Sequence, residues 1–179
     1  MWQLFYNNGE AIKGKWRSAE LDNPKPNEDE IVGGAAIHLY RKNSDGEIEL
    51  LWQQRSFELN NYPGKWDISA GGHVNLGETF ADAAVREAYE EIGIQISKDD
   101  LSLVAFRRSQ RNIITQLFLV DWSGREENFK FDDGEVEQVK WVPLSETDEF
   151  RKKFAKAPVA EDDAVYISIK KWFKINGQI

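Results

Sequence analysis

The segment from Gly72 to Ile94, GHVNLGETFADAAVREAYEEIGI, constrains this chain more than any other stretch. Its second half reads as a helix with both ends marked. Thr79 stands at the N-cap with Asp82 three residues on, a variant of the capping box. Alanines at 81, 83, 84 and 88 favour the helical state, and Gly93 suits the left-handed residue that ends it. At about 100° per residue, Phe80, Ala81, Ala84, Val85, Ala88 and Ile92 form one apolar stripe. Glu87, Glu90 and Glu91 project along one edge of that stripe. Like charges so close repel one another, and a hard, oxygen-seeking cation such as Mg²⁺ or Mn²⁺ compensates them. The alternative is a solvated helix face, which is what most charge clusters are. Arg86 and Glu78 meet only if the segment before the helix folds back, and that pairing would orient the carboxylates from behind.

A chain of 179 residues, 41% of them hydrophobic, buries one real core, so residues 1–179 are expected to form a single domain. Internal repeats and low-complexity tracts are absent from the sequence. No apolar run approaches the length that spans a bilayer, and Met1-Trp-Gln-Leu-Phe-Tyr lacks the form of a secretory leader; the expectation is a cytoplasmic protein without membrane contact. Zero cysteines exclude disulfides, thiolate metal sites and a cysteine nucleophile. A net charge of −8 argues against a nucleic-acid polymer as partner, and makes an anionic small molecule welcome only where a cation bridges it.

Around the helix the pattern is that of strands. Trp2–Tyr6 and Ala11–Trp16 flank the turn Asn7-Asn8-Gly9, and the polar, proline-bearing stretch up to residue 30 reads as a surface loop. Ile31–Arg41 and Ile48–Gln54 flank Asn43-Ser-Asp-Gly46, and Trp66–Ala70 leads into Gly72. Leu101–Arg107 with Ile113–Trp122 makes another pair, and Glu137–Val142 is a late strand. Phe150–Lys156 and Asp163–Lys174 read as C-terminal helices. The class is α/β, a mixed sheet sandwiched between helices. Trp66 and Trp141 sit in strand contexts and are expected to pack the core, which leaves Trp2 and Trp16 open to a dimer contact or a substrate lid.

Gly72, Glu78, Arg86, Glu87, Ala88, Glu90, Glu91, Gly93 and Ile94 fill every specified place of the Nudix box, G-x5-E-x7-R-E-U-x-E-E-x-G-U with U aliphatic, over residues 72–94. The chain resembles Nudix hydrolases. The resemblance implies the α/β (α+β) Nudix fold with an N-terminal β-hairpin and C-terminal helices, and metal-dependent cleavage of a diphosphate in a nucleoside-diphosphate-linked or other organic substrate. Flanking residues narrow it. Gln53-Gln-Arg-Ser56 and Tyr62-Pro-Gly-Lys-Trp-Asp-Ile-Ser-Ala-Gly-Gly-His73 resemble the branch related to isopentenyl diphosphate isomerases, a likeness covering roughly residues 4 to 145. The departures point away from isomerisation. Those enzymes carry a cysteine where this chain has Gly71, and a phosphate-gripping lysine where it has Leu59. A further metal-binding histidine of theirs falls near Gly33 or Gly34, and His38 lies too far along to replace it. An isomerase and a non-catalytic, ligand-binding Nudix domain remain the alternatives.

The resemblance implies Glu87, Glu90 and Glu91 as metal ligands, joined by the Gly72 carbonyl. His73 either binds metal, as in the isomerase branch, or structures the loop before the helix. The general base is Glu87 or Glu91 on the helix, or Glu135 in the acidic loop before the last strand. Arg55 and Lys65 are candidates for a second phosphate. Arg107, Arg108 and Arg111 are either an anion site or a solvated turn. Many such proteins are homodimers, and the sequence leaves that state open.

Overall fold

The computed structural model describes residues 1–17, 31–109, 112–155 and 159–179. In chain order these form β1 (Trp2–Phe5), β2 (Ala11–Arg17), β3 (Val32–Lys42), β4 (Ile48–Arg55), β5 (Trp66–Asp67), β6 (Ala70–His73), α1 (Phe80–Ile92), β7 (Ser102–Arg108), β8 (Ile113–Asp121), β9 (Val136–Pro143), α2 (Thr147–Phe154) and α3 (Val159–Ile175). β3 is the organising strand. Along one edge it runs parallel to β8, from Val32 against Ile113 to Tyr40 against Asp121. Along the other it meets β1, β6 and β4 in turn, all antiparallel. β7 extends the sheet beyond β8, β9 and β5 flank β4, and β2 lies outside β1. The result is a mixed sheet of nine strands among the described residues.

Period-2 alternation along these strands sorts the core into two layers. Ala35, Ile37, Leu39, Leu51, Ile114, Phe118 and Val120 face α1, meeting Phe80, Ala83, Ala84, Ala88 and Ile92. Their neighbours Ala36, Tyr40, Leu50, Trp52, Leu117 and Leu119 face the other way, onto Tyr166, Ile169 and Phe173 of α3. The expected sandwich of a mixed sheet between helices, opening on an N-terminal hairpin, is thus present. His38 follows the same alternation. It points to the α3 side, fully buried, with Nδ1 3.1 Å from the Leu51 carbonyl and Nε2 2.8 Å from the Tyr166 hydroxyl. Burial lowers its pKa to about 4, so the ring is neutral: Nδ1–H donates to Leu51 and Nε2 accepts from Tyr166.

Most boundaries differ from expectation by a residue or two, and three differences have more to say. Trp66–Ala70 is two short strands, broken at Ser69, whose hydroxyl donates to the Leu51 carbonyl (2.6 Å) and accepts from Leu39 N–H (2.9 Å), replacing ladder bonds. α2 begins at Thr147 instead of Phe150 because Thr147 is buried and its hydroxyl back-bonds to the Pro143 carbonyl. α3 is longer than Asp163–Lys174 at both ends. Of the expected surface loop, residues 18–30 lie outside the described residues, as does Arg111. No helix among the described residues is long and apolar enough to cross a membrane.

Candidate active site

α1 forms where its caps predict. The Thr79 hydroxyl accepts from Asp82 N–H while the Asp82 carboxylate accepts from Thr79 N–H, and Gly93 takes the left-handed conformation (φ 70°). Its buried face is not the stripe read from apolar residues alone. Phe80, Ala83, Ala84, Ala88, Glu91 and Ile92 are buried, whereas Ala81 and Val85 are only half-buried. At about 100° per residue, Glu87 and Glu91 therefore fall near the middle of the face turned to the sheet, and Glu90 at its margin beside Arg86. Two carboxylates occupy the centre of a helix–sheet contact.

What they meet there explains Gly72. A Cβ on Gly72 would fall against the Glu87 carboxylate, 2.7 Å from Oε2 and nearer still to Oε1, so only glycine leaves room for that side chain on β6. Glu91, 5% exposed, accepts from the Gly71 N–H at 2.8 Å and from Gln53 Nε2 at 3.0 Å. Gln53 shares the α1-facing side of β4 with Leu51, and its Oε1 is buried without a partner. Burial raises the Glu91 pKa to about 8 despite the Gly71 amide, with Glu87, Asp67 and Glu135 adding repulsion. Glu87 is also raised, mainly by burial, against the pull of Arg86.

Arg86 is the hub on the outer side. Its Nε donates to Glu78 Oε1 (2.8 Å), and Nη1 donates to Glu87 (2.6 Å) and Glu90 (2.7 Å). Nη2 donates to the His73 carbonyl (2.8 Å) and Glu78 Oε2 (3.1 Å). The segment before α1 does fold back, and Glu78 and Arg86 form a bidentate pair. Burial works against the Glu78 charge, but Arg86 and the Asn75 N–H hold its pKa below the usual range. Glu78, then Glu90 and Glu87, hold the guanidinium firmly charged.

The remaining candidates divide into near and far. Glu135 lies close enough to Glu87 and Glu91 to repel both, and its carbonyl accepts from Ser56 N–H (2.8 Å). Arg55 and Lys65 meet at the neck of the loop that Ser56 opens, with Arg55 N–H donating to the Lys65 carbonyl (2.9 Å) and Arg55 Nε to Asn61 (3.2 Å). The His73 ring lies flat on Trp2, centroids 3.8 Å apart and planes within 8°. Arg107 and Arg108, on β7, are level with His73 but three strands across, which is about 14 Å at normal strand spacing. Arg108 is occupied with Asn7 and Asn112.

Two participants had no role assigned from sequence, Gln53 and Asp67, and Trp2, left open there to a dimer contact or a substrate lid, lies flat against His73. For Gln53 the signal was a polar side chain at an inward strand position. Trp66 and Trp141 do pack against the core.

Among the described residues, no three acidic or histidine side chains converge closely enough to hold an ion as they stand, because Arg86 ties Glu87 and Glu90 while Gln53 and Gly71 hold Glu91. The donor set nevertheless fits a hard cation. It is all oxygen, it is cradled by a glycine where a Cβ would intrude, and it includes the unpartnered Gln53 Oε1.

A family model, the NUDIX domain, matches residues 32–162. The chain belongs to the Nudix family. Among curated relatives, Nudix hydrolase 3 of Arabidopsis thaliana is 32% identical over 129 residues, which cover 64% of this chain and 16% of that protein. An isopentenyl-diphosphate Δ-isomerase of Paenarthrobacter aurescens is 40% identical over 72 residues, covering 40% and 38% of the two chains. The chain thus spans well under half the length of these relatives. In three dimensions it is similar to a Deinococcus radiodurans protein, DR0079, with a TM-score of 0.67 and 22% identity over 89% of this chain and 94% of that one. That likeness speaks to the Nudix fold. Nudix hydrolases generally use divalent metal and act on diphosphate derivatives.

Proposed function

We propose that this Nudix protein is a metal-dependent hydrolase that cleaves the diphosphate bond of a nucleoside-diphosphate-linked or other organic diphosphate. The observation that carries the reading is the pair of carboxylates, Glu87 half-buried and Glu91 buried, set into a helix–sheet contact, one against Gly72 and the other against Gly71 and Gln53. Effective penalties for burying a charge run to several kcal/mol per ion, so these carboxylates cost the apo fold stability. A cation between them and the substrate phosphates offsets that cost.

Glu87, Glu90 and Glu91, with the Gly72 carbonyl, would hold Mg²⁺, or Mn²⁺ as alternative. When bound, the ion supplies polarisation of a phosphoryl oxygen and acidification of water. Arg86, anchored by Glu78, fixes the side-chain torsions of Glu87 and Glu90. Proton removal from the attacking water falls to a carboxylate among Glu87, Glu91 and Glu135. Glu135 reaches the site from the loop before β9 and faces both others. Arg55 and Lys65, at the neck of the loop whose Ser56 N–H meets the Glu135 carbonyl, would contact a second phosphate.

The test is release of phosphate and pyrophosphate with Mg²⁺ from nucleotide-sugar, dinucleotide, nucleoside triphosphate and isoprenoid diphosphate substrates, with both products analysed. One class should turn over, and Glu90→Gln should lower its rate by at least about 100-fold with folding retained. Near-normal rates in that variant would sink the metal assignment. Conversion of isopentenyl to dimethylallyl diphosphate without phosphate release would establish the isomerase instead. Tight binding without turnover would establish a binding module.

A further inference from the structure

The loop that joins β6 to α1 brings the His73 carbonyl and the Glu78 carboxylate to Arg86. What holds the loop is β1, a strand outside the box. Gln3 N–H donates to the Val74 carbonyl (2.9 Å), Leu76 N–H donates to the Met1 carbonyl (2.9 Å), and Trp2 and Asn75 face each other in an isolated antiparallel bridge. Asn75 in turn gives its N–H to Glu78 (2.9 Å). Its amide, oriented to satisfy both ends, reaches the Met1 carbonyl with nitrogen (3.3 Å) and Arg86 Nη2 with oxygen (3.2 Å). On top of this short ladder the Trp2 indole covers the His73 ring face to face.

We propose that Trp2 is a positioning residue for the metal site: its indole, stacked on His73, clamps the 73–78 loop so that Arg86 holds Glu87 and Glu90 in place. The proposal rests on the metal-site reading above. The chain of contacts is continuous, Trp2 to His73, His73 carbonyl to Arg86, and Arg86 to Glu87 and Glu90. Among the described residues, Trp2 makes no hydrogen bond or ring contact with the three glutamates, so its influence passes through the loop. Flat stacking at this separation is a direct, geometry-dependent contact, and a ring face is what it requires. A side chain of equal bulk without a ring face would fill the space and leave the loop unlatched.

The test needs no substrate. Mn²⁺ alone is titrated by electron paramagnetic resonance into wild type, Trp2→Ala, Trp2→Phe and Trp2→Leu, each verified as folded by circular dichroism. The alanine and leucine variants should bind Mn²⁺ about 2- to 13-fold more weakly, the range an aromatic pair contributes beyond its buried area, and phenylalanine should restore affinity. Leucine carries the test should alanine not fold. In parallel, the chain has two histidines, whose imidazole NMR signals should be separate. Loss of the indole ring current should move the His73 signal and leave that of His38, about 13 Å along β3 from Gly34, the residue paired with His73, unchanged. Unaltered Mn²⁺ affinity in a variant whose His73 signal has moved refutes the clamp alone. An unmoved His73 signal refutes the stack itself. Wild-type protein that binds no Mn²⁺ refutes the underlying metal reading, and this role with it.

Discussion

Removing the charge of Glu91 should stabilise the metal-free protein while disabling it. In the folded apo protein this carboxyl keeps its proton to about pH 8, because it is buried and faces Glu87, Asp67 and Glu135; its ordinary value is 4.5. Between those pH values the folded state binds more protons than the unfolded chain, so stability falls as pH rises. At 1.36 kcal/mol for each tenfold step, the ceiling on that loss is about 5 kcal/mol. A fully realised ceiling requires a site closed to water, so about 2–3 kcal/mol is the working expectation. Glu91→Gln keeps an oxygen that accepts from Gly71 and Gln53 but has no proton to lose. Urea unfolding in EDTA at pH 5, 6, 7 and 8 measures both proteins. The wild type should lose about 2–3 kcal/mol relative to the variant across that range, with the two nearly equal at pH 5. Mg²⁺ at pH 8 should restore the wild type and leave the variant unmoved. Parallel pH profiles for the two proteins would refute the argument, since other titrating groups are common to both.

Two other substitutions probe the frame. Gly72→Ala sets a methyl group against the Glu87 carboxylate; hydrolysis should fall at least about 100-fold and Mn²⁺ binding should weaken, while the circular dichroism spectrum is retained. Tyr166→Phe removes the hydroxyl that satisfies His38 Nε2 in the α3-side core; urea unfolding should show a loss of about 1–3 kcal/mol with kcat unchanged, and a fall in kcat would show that α3 acts on the site.

The helix was legible because its signals are local. Thr79, Asp82 and Gly93 act on their own backbone within a turn, and each does in the structure what its type predicts. The Arg86–Glu78 pairing was legible for a related reason, since the box spacing permits it only through a folded-back loop. The direction of α1 was misread. Counting apolar residues turned the stripe toward Ala81 and Val85, whereas the sheet accepts Ala83 and two carboxylates at its centre, which hydrophobicity alone never predicts. The places of Gln53, Asp67 and Trp2 beside the site were not legible for want of register. Gln53 matters only because β4 carries it opposite Glu91, and Trp2 only because β1 lies beside the loop after β6. The basic cluster shows the converse: Arg107 and Arg108 suggested an anion site by their charge, yet the strand order carries them away from the carboxylates.

The parallel ladder of β3 and β8 also sets when the site can exist. Val32 pairs with Ile113 across 81 positions of chain, and β4, β5, β6, α1 and β7 all lie within that span. Loop-closure entropy must be met before such a ladder returns any stabilisation, which places this chain among the slower folders. The two segments that face each other across the carboxylates, Gly71–Gly72 and the Glu87–Glu91 turn of α1, are packed against β3 and acquire their separation only once it is seated. An ion added during refolding should therefore leave the folding rate nearly untouched and slow unfolding instead, because it recognises an arrangement that forms late.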